Sequence, residues 1–375
     1  MLIGVPKEIK NHEYRVGLTP AGVRELVAHG HQVLVQRDAG AGIGLGDEMY
    51  AAAGAILSDG AADIFARAEM IIKVKEPQPG ECQMLRRDQT LFTYLHLAPD
   101  PEQARLLVDS GATCIAYETV TDNRGGLPLL TPMSEVAGRM AVQEGAHCLQ
   151  KAQGGLGVLL GGAPGVIPGR VTVIGGGVVG VNAARIAMGL GAHVTILDRS
   201  LQRLQQIDDL YGDRLDTLYS SADAIEQQLK QADLVIGAVL IPGASSPKLV
   251  TRDMLKLMKP GSVLVDVSID QGGCFETSRP TTHEAPTYVI DGVIHYCVAN
   301  MPGGVARTST FALTNATLPF ALALADKGVT QALRDDPHLL NGLNVCRGMV
   351  TYEAVARDLG YAYVPPLSAL QPDAA

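Results

Sequence analysis

The stretch Val171-Thr-Val-Ile-Gly-Gly-Gly-Val-Val-Gly180 decides which fold class this sequence predicts. Its first four residues form a short β-branched run, which is typical of a strand buried on both faces. Gly175 to Gly180 fit the pattern G-x-G-x-x-G, and an Ala-rich helical pattern follows at once. A second strand pattern, His193 to Leu197, is closed by Asp198, 18 residues after the last glycine of the pattern. Strand, glycines, helix, strand and acid in this order predict a dinucleotide-binding βαβ unit.

Each glycine of this pattern has its own physical task. Gly175 permits the tight turn, Gly177 lets a pyrophosphate approach the backbone, and Gly180 lets the helix pack closely on the strand. N–H groups at the start of the helix then attract the phosphate charge. Asp198 is expected to accept hydrogen bonds from the adenosine ribose, which favours NAD, whereas an arginine such as Arg199 can hold the 2′-phosphate of NADP. The alternative is that the glycines only form a tight crossover in an ordinary sheet.

Length and composition bound the class of protein. A chain of 375 residues is expected to form two domains, because single cores stop growing near ~250–300 residues. Hydrophobic residues make up 47% and charged residues 18%, which is ample for large buried cores. The formal net charge of −9 argues against nucleic acid or an anionic membrane as a partner. The longest uncharged stretches are too short and too glycine-rich to span a bilayer.

The spacing of cysteines and histidines predicts reduced thiols and no metal site. The six cysteines include no C-x-x-C pair, and the nine histidines include no H-E-x-x-H motif. The first residues, Met1 to Glu8, lack a basic region followed by an apolar run, so no signal peptide is expected. These features predict a cytoplasmic protein with mostly buried thiols.

Alternating strand and helix patterns on both sides of the glycine stretch predict two domains of the α/β class. Each domain is expected to be a doubly wound, Rossmann-like parallel sheet, with a cleft between the domains and long helices that join them. Residues 1–127 together with 308–375 are assigned to a substrate, or catalytic, domain, and residues 128–307 to an NAD-binding domain. The joining helices are predicted from Thr131 to about Lys151 and from Thr308 onward.

Three polar residues of the first domain follow predicted strands. Arg15 lies in the connection after the first strand, Lys75 closes Met70–Val74, and His96 closes Leu91–Leu95. In a parallel sheet these connections emerge at one edge. An arginine grips a carboxylate with two parallel bonds, a lysine binds it as a point charge or polarises a carbonyl, and a histidine shuttles a proton.

Asp270 of the second domain is the candidate for a further acid/base group, and the four residues together predict a catalytic set. Each also has an ordinary alternative. Lone surface arginines and lysines are usually solvated, which taken alone is the favoured interpretation of Arg15, and His96 is explained as well by a turn residue hydrogen-bonded to the backbone. The alternative for Asp270 is a cap on the turn before Gly272-Gly273.

Residues at the strand ends of the second domain are candidates for ligand contact, because ligands lie outside the carboxyl ends of an open parallel sheet. The strands predicted after the βαβ unit are Asp216–Tyr219, Asp233–Val239, Ser262–Val267 and Tyr296–Ala299. The residues at or just beyond their ends are Ser220, Val239, Leu240, Asp270, Asn300 and Met301.

Motifs along nearly the whole chain resemble those of L-alanine dehydrogenases. In the first third they are Gly4-Val-Pro-Lys-Glu8, Asn11-His-Glu-Tyr-Arg-Val-Gly-Leu-Thr-Pro20, Val74-Lys-Glu-Pro77 and Thr93-Tyr-Leu-His-Leu-Ala98. Beside the glycine stretch, the later ones are Pro132-Met-Ser-Glu-Val-Ala-Gly138, Gly161-Gly-Ala-Pro-Gly-Val166, Asp266-Val-Ser-Ile-Asp-Gln-Gly-Gly273, Val298-Ala-Asn-Met-Pro-Gly303 and Thr308-Ser-Thr310. This fold is shared with the NAD-binding part of the proton-pumping nicotinamide transhydrogenase and, more distantly, with saccharopine-forming lysine dehydrogenases.

The resemblance implies reversible oxidative deamination of L-alanine to pyruvate and ammonia with NAD⁺, in a homohexamer. It assigns Arg15 and Lys75 to substrate binding and His96 and Asp270 to acid/base chemistry. Including the glycines of the pattern, the cofactor contacts are Ser134, Gly175, Gly177, Val178, Val179, Gly180, Asp198, Arg203, Ser220, Val239, Leu240, Val267, Ser268, Ile269, Asp270, Arg279, Val298, Ala299, Asn300 and Met301. Arg203 stands where family members often carry lysine or another residue near the adenosine end.

Two other functions are compatible with the dinucleotide pattern. One is a dinucleotide-binding subunit that feeds hydride to a membrane-bound pump, and the other is an NAD-sensing module without turnover. The presence of Arg15, Lys75 and His96 together favours the dehydrogenase.

Overall fold

The computed structural model describes residues 1–239 and 246–371, in which fifteen strands form two sheets. Leu240, a predicted cofactor contact, lies outside the described residues. The strands are β1 (Leu2–Val5), β2 (Gln32–Gln36), β3 (Ile56–Ser58), β4 (Met70–Ile72), β5 (Thr90–Thr93), β6 (Thr113–Ala116), β7 (Arg170–Ile174), β8 (His193–Asp198), β9 (Asp216–Tyr219), β10 (Leu234–Gly237), β11 (Val263–Asp266), β12 (Thr287–Ile290), β13 (Val293–Tyr296), β14 (Leu343–Cys346) and β15 (Met349–Val350).

Fourteen α-helices accompany the strands in the described part of the chain. They are α1 (Pro20–Ala28), α2 (Asp47–Ala52), α3 (Ala61–Arg67), α4 (Pro79–Cys82), α5 (Pro101–Ser110), α6 (Thr131–Cys148), α7 (Val178–Gly189), α8 (Leu201–Tyr211), α9 (Ala222–Gln231), α10 (Ala306–Lys327), α11 (Val329–Asp335), α12 (Pro337–Leu340), α13 (Glu353–Leu359) and α14 (Pro366–Ala369). Thr19 caps α1 and Asp100 caps α5, each just before a proline in the first turn of its helix.

The first compact unit comprises residues 1–133 and the chain from residue 305 onward. Its eight-stranded sheet has the order β15-β14-β6-β5-β4-β1-β2-β3. The strands from β6 to β3 are parallel, whereas β14 pairs antiparallel with β6 and with β15. The apolar runs of β4 and β5 are buried throughout, as expected for the central strands of an α/β sheet.

The second compact unit comprises residues 134–304, and its seven strands have the order β12-β13-β11-β10-β7-β8-β9. All neighbours are parallel except β12 and β13, which form an antiparallel hairpin. The chain runs outward from β7 in both directions, first through β8 and β9 and then through β10 and β11. Such a switch point is where doubly wound sheets bind ligands, and the Gly175–Gly180 stretch follows β7 directly.

The prediction of the α/β class with two doubly wound, Rossmann-like sheets is confirmed, and its expectation of purely parallel sheets is wrong at β12, β14 and β15. Two strands also end earlier than predicted, β4 at Ile72 and β5 at Thr93. Lys75 and His96 therefore lie in loops beyond the strands. The cause is local: the N–H groups of Val74 and of His96 donate to carboxylates, not to a neighbouring strand.

Three further observations concern membrane-spanning helices, disulfides and metal sites. No helix in residues 1–239 and 246–371 is long and apolar enough to cross a membrane. All six cysteines are buried, and none forms a disulfide. Within the same residues, no group of three or more His, Cys, Asp or Glu side chains is arranged to hold a metal ion.

Candidate active site

The Gly175–Gly180 stretch forms a tight turn between β7 and α7. Gly175 has a φ of +110°, which side chains rarely adopt, and a Cβ there would lie 2.5 Å from the carbonyl oxygen of Ala238. A Cβ on Gly180 would collide with the carbonyl oxygen of Gly175, so glycine is needed for α7 to pack against the turn. A Cβ on Gly177 would meet nothing within 4 Å among the described residues. There is therefore no room for a side chain at Gly175 or Gly180, whereas the space beside Gly177 is open among the described residues.

The start of α7 is suited to bind an anion. Gly177 is the N-cap residue, and no side chain caps the first turn. The first N–H groups of a helix have no partner within the helix, and its dipole attracts negative charge. Val178 is exposed and Val179 half-buried beside this opening. The open space at Gly177 and the uncapped N–H groups fit a dinucleotide pyrophosphate.

Asp198 and Arg203 hold the glycine turn through the peptide group of Gly176. The Asp198 carboxylate accepts from the N–H of Gly176 at 2.7 Å and from the N–H of Ser200 at 2.8 Å. The Nε–H of Arg203 donates to the Gly176 carbonyl oxygen at 2.6 Å. Because a carboxylate has about four lone-pair sites, Asp198 keeps acceptor capacity for ribose hydroxyls. Ser220 follows β9 beside this acid, with its N–H donating to the Asp198 carbonyl at 2.9 Å.

Ser134 lies in the first turn of α6 and is half-buried. One turn further along α6, a Cβ on Gly138 would collide with the carbonyl oxygen of Val179. The helix that carries Ser134 therefore passes directly against the first turn of α7, next to the predicted pyrophosphate site.

A second group of predicted cofactor contacts follows β10 and β11. Val267, Ser268 and Ile269 form a 3₁₀ turn that spans Val267–Gln271 and also carries Asp270. The Ser268 hydroxyl donates to the carbonyl oxygen of Val239 at 2.7 Å, which ties the turn to the end of β10.

Asp270 lies exposed on this turn. Its carboxylate accepts from the N–H of Asn300 at 3.4 Å, and Asn300 has a φ of +56°. The segment that leads there is buried at Val298 and Met301, while the Ala299 N–H donates to Thr281. Asp270 is not the cap of the turn, because the side chain that accepts from the turn's N–H groups is Asp266.

Arg279 is anchored by Tyr288 of β12. The Arg279 N–H donates to the tyrosine hydroxyl at 2.9 Å, and the guanidinium lies 4.2 Å from the ring centroid. Tyr288 in turn stacks on His295, its partner across the hairpin, at 4.9 Å. This places a fixed cation at the surface of the second unit.

In the first unit, Arg15 is buried, with 2% of its surface exposed. Its Nε and Nη2 donate to the two carboxylate oxygens of Glu13 at 2.7 and 2.5 Å, and Nη1 contacts the sulfur of Met133 at 3.1 Å. Burial alone would lower the pKa of Arg15, but the hydrogen bonds and charge of Glu13 outweigh it and raise that pKa. The alternative of a solvated surface arginine is excluded.

A buried ion-pair cluster lies beside the end of β4. Lys73 has no exposed surface, and its ammonium donates to Glu8 at 3.1 Å and to Glu81 at 2.8 Å. Burial acts to lower the pKa of Lys73, but the two carboxylates outweigh it and raise that pKa. Lys73 is therefore a structural cation, because both of its carboxylate partners are buried with it.

Glu8 also fixes the backbone of the neighbouring lysine. Its other oxygen accepts from the N–H of Val74 at 2.7 Å and of Lys75 at 3.2 Å. The Lys75 carbonyl accepts from the Thr93 hydroxyl at 3.0 Å. The Lys75 ammonium lies 3.7 Å from a Glu76 oxygen and remains partly exposed. Lys75 thus combines a fixed main chain with a loosely paired ammonium that is available to an anion.

His96 has a φ of +49° and an exposed ring. Its N–H donates to the Glu118 carboxylate at 2.6 Å, and its Nδ1 lies 3.9 Å from the same oxygen. The ring stacks on that of Tyr94, with centroids 5.7 Å apart and planes inclined by 6°. Because two residues fix it, the imidazole is presented to solvent in a defined orientation.

The structure brings Arg15, Lys75 and His96 to one edge of the first sheet, since they follow β1, β4 and β5, which are adjacent. Asp270 and the predicted cofactor contacts belong to the second unit. The two cations suit a carboxylate, and the imidazole suits proton transfer beside it.

Sequence reasoning missed the carboxylates that fix these residues: Glu8, Glu13 and Glu118. Charged residues in loops are normally exposed, and nothing in the pattern marks Glu8 and Glu13 as buried or Glu118 as half-buried. Lys73 carried a usable signal, because it interrupts the apolar run Met-Ile-Ile-Lys-Val that ends at Val74. A charge within such a run indicates a buried ion pair.

Comparison with known proteins identifies the family to which both units are similar. A family profile described as "Alanine dehydrogenase/PNT, N-terminal domain" matches residues 4–137, and one described as "Alanine dehydrogenase/PNT, C-terminal domain" matches residues 141–353. The chain is 66% identical to an alanine dehydrogenase of Halomonas elongata over 368 residues, covering 98% of this chain and 99% of that protein.

Solved structures give the same result. An L-alanine dehydrogenase matches with a TM-score of 0.93 and 51% identity, over 96% of this chain and 99% of that one. A transhydrogenase from Sinorhizobium meliloti matches with a TM-score of 0.80 and 26% identity, over 94% of this chain and 100% of that one. The resemblance seen in the sequence is thereby confirmed, and the chain belongs to the alanine dehydrogenase/PNT family.

Proposed function

We propose that the chain is an NAD-dependent L-alanine dehydrogenase that acts on the CH–NH₂ group and interconverts L-alanine with pyruvate and ammonia. The observation that carries this assignment is the set of Arg15, Lys75 and His96 on adjacent loops of one sheet edge. Identity of 66% to an alanine dehydrogenase over nearly the full chain supports it.

The residues of the second unit fit NAD. The open space at Gly177 and the uncapped start of α7 suit the pyrophosphate, and Asp198 has acceptor capacity for the adenosine ribose. When bound, NAD⁺ supplies the acceptor for the hydride that leaves Cα of alanine. Among the predicted contacts, Arg203 acts through the backbone, because its Nε–H donates to the Gly176 carbonyl and so holds the glycine turn in shape.

Arg15 and Lys75 are the proposed substrate-binding pair. Arg15 stays charged and immobile because Glu13 binds it at two atoms, so it offers the carboxylate a fixed cation. The Lys75 ammonium, paired only loosely with Glu76, is positioned to add a second charge. Holding the carboxylate at two points orients the substrate before reaction.

His96 and Asp270 are the proposed acid/base groups. The substrate's ammonium first loses a proton, and loss of hydride from Cα of the resulting amine leaves an iminium. Water adds to the iminium as one proton is removed from the water. The nitrogen then takes up a proton and leaves as ammonia, and the remaining hydroxyl loses its proton to give pyruvate. The exposed ring of His96 and the exposed carboxylate of Asp270 are the groups assigned to these transfers.

The test is reduction of NAD⁺ by purified protein, followed by the absorbance of NADH. L-alanine is expected to give a steady rate. No rate with alanine, or a faster one with lysine plus 2-oxoglutarate in the reverse assay, would contradict the assignment. A rate of zero with every substrate alongside NADH binding would favour the NAD-sensing alternative.

A His96→Ala variant tests the role of the imidazole. We expect kcat to fall by about 10²–10⁴-fold, as for the loss of a general acid/base, while the dissociation constant for NADH stays nearly unchanged. NADH binding is measured by fluorescence titration. Turnover at the wild-type rate would remove His96 from the mechanism.

We also propose that the protein acts as a cytoplasmic homohexamer. Six buried cysteines without a disulfide suit a reducing compartment, and the resemblance to alanine dehydrogenases implies the hexamer. Light scattering after size-exclusion chromatography measures the assembly. A monomer that is fully active at assay concentration would contradict the oligomer.

A further inference from the structure

Asp266 is a buried carboxylate of the second unit to which the proposed mechanism gives no task. It is the last residue of β11 and has no exposed surface. Its hydrogen-bond partners among the described residues are neutral groups of the segment that follows β11. A carboxylate buried without a cation is costly unless several hydrogen bonds hold it, so its contacts indicate what it is there to fix.

Both oxygens of Asp266 accept from the chain that follows. One oxygen accepts from the N–H of Ser268 at 3.0 Å, inside the Val267–Gln271 turn. The other accepts from the N–H of Cys274 at 2.9 Å and of Phe275 at 3.3 Å, and from the hydroxyl of Ser278 at 2.5 Å. One side chain thus binds the beginning of the turn and the segment that leaves it.

Two consecutive glycines make this arrangement possible. Gly272 and Gly273 have φ values of +85° and +76°, which reverse the chain after the turn. A Cβ on Gly273 would lie 2.6 Å from an Asp266 oxygen and 2.7 Å from Cβ of Ser278. The chain therefore folds back tightly onto the carboxylate. Asp266 binds Ser268 before the two glycines and Cys274 after them.

Asp270 lies on the turn that Asp266 closes. Its own side chain is exposed, and its carboxylate accepts from the Asn300 N–H at 3.4 Å. Its position is thus determined chiefly by the backbone of the turn. We propose that Asp266 is a positioning residue that orients Asp270 by holding both ends of this turn; the inference rests on the proposed acid/base role of Asp270.

The central test is Asp266→Asn, which keeps the size of the side chain but replaces one acceptor oxygen by a donor NH₂ group. We expect kcat with L-alanine to fall about 100-fold, the scale of a displacement of about 1 Å in a reacting group. The KM for L-alanine is expected to stay within about twofold, because Arg15 and Lys75 are untouched. Asp253→Asn, at an exposed carboxylate of the same unit, is the matched control and should retain wild-type kcat.

A double variant separates positioning from a merely structural role. If Asp266 acts through Asp270, adding Asp266→Asn to Asp270→Asn should lower kcat by no more than about twofold further. An additional loss near 100-fold would overturn the proposal. Ser278→Ala removes only the hydroxyl's hydrogen bond to Asp266 and is the milder variant should Asp266→Asn not fold; we expect a fall of about fivefold in kcat at unchanged KM. Wild-type kcat in Ser278→Ala would count against the proposal.

The same variants distinguish the two proposals. Wild-type kcat in Asp270→Asn would contradict the acid/base assignment and, with it, the positioning role. Loss of activity in Asp270→Asn beside a wild-type kcat in folded Asp266→Asn would overturn the positioning role alone.

Discussion

In both units carboxylates accept from peptide N–H groups beside candidate functional residues, and the units differ in the buried cations that the first unit adds. In the first unit, buried charges occur in opposite pairs: Arg15 with Glu13, and Lys73 with Glu8 and Glu81. In the second unit, carboxylates hold peptide N–H groups. Asp198 binds the glycine turn, and Asp266 binds the turn that carries Asp270.

The difference follows from what each unit is proposed to bind. A small carboxylate substrate requires cations in fixed directions, and buried cations are stable only beside buried anions. A dinucleotide pyrophosphate is bound by backbone N–H groups, which require open space and fixed peptide planes. Charge balance therefore dominates the first unit, and backbone geometry dominates the second.

The largest expected effect tests charge balance in the first unit. Lys73→Met leaves Glu8 and Glu81 buried without their cation, and we expect the free energy of unfolding to fall by about 3–5 kcal/mol. Urea denaturation followed by circular dichroism measures the loss. Lys75→Met, two residues away at a partly exposed ammonium, is the matched control.

The control variant should behave in the opposite way. Lys75→Met is expected to change the free energy of unfolding by no more than about 1 kcal/mol, because the ammonium is partly exposed and Glu76 keeps its ion pair with Lys10. Its KM for L-alanine should rise instead. Equal losses of stability in Lys73→Met and Lys75→Met would contradict the prediction, because the buried ion pair would then contribute no more than the partly exposed one.

The next prediction tests backbone geometry in the second unit. In Gly180→Ala the new Cβ collides with the Gly175 carbonyl oxygen, so α7 must shift, and we expect a destabilisation of about 1–3 kcal/mol. In Gly177→Ala the new Cβ meets no described atom within 4 Å, so stability should be retained. The methyl group would instead occupy the proposed pyrophosphate space and weaken NADH binding by about tenfold.

Thermal unfolding and NADH titration of the two glycine variants are read together. Wild-type NADH affinity in Gly177→Ala would contradict the placement of the pyrophosphate at this turn. Wild-type stability in Gly180→Ala would show that α7 accommodates a side chain there after all.

The sequence was sufficient for the layout of strands whose ends are marked by apolar runs. Asp216–Tyr219 was predicted with the bounds that β9 has, and His193–Leu197 differs from β8 by one residue. Order and spacing of glycines, helix and acid likewise identified the turn after β7. These features are local, so periodicity and turn chemistry determine them.

The strand predicted at Tyr296–Ala299 was wrong, because β13 ends at Tyr296. Its hairpin partner β12 was missed, although Asp291-Gly292 between two strand-like runs is a two-residue turn signal. Both residues have positive φ, as that turn requires. The β14–β15 turn at Arg347 and Gly348 has the same conformation without a sequence signal, since arginine rarely adopts positive φ.

Among the buried carboxylates, Asp266 carried the same kind of signal as Lys73, because it interrupts the apolar run Val263-Leu-Val-Asp-Val267. Glu13 was beyond local reasoning, because its partner is supplied only by the folded chain and it stands in a segment of mixed polarity. An exposed position is the ordinary expectation for such a residue. Burial of a residue by distant segments of the chain was therefore harder to predict than the spacing of motifs.

The smallest expected effect concerns His295 and is a change in how the free energy of unfolding depends on pH. His295 is fully buried in the second unit on neutral partners, the Thr277 hydroxyl at 2.8 Å and the Val293 carbonyl at 3.0 Å. Burial lowers its pKa below the usual value for histidine, with Arg279 acting in the same direction and Asp291 against it. The imidazole is therefore neutral in the folded protein at neutral pH.

Between the folded and the unfolded pKa of His295, the unfolded chain carries the proton and the folded chain does not. The unfolded state then binds more protons, so the free energy of unfolding rises with pH in this window and falls on acidification below about pH 6.5. One proton limits the slope to about 1.4 kcal/mol per pH unit. His295→Gln removes this titration, whereas His193→Gln, at an exposed histidine, retains it. Urea denaturation at pH values from 7 to 5 should give a shallower dependence for His295→Gln alone, and identical slopes in all three proteins would mean that this buried ring does not couple stability to pH.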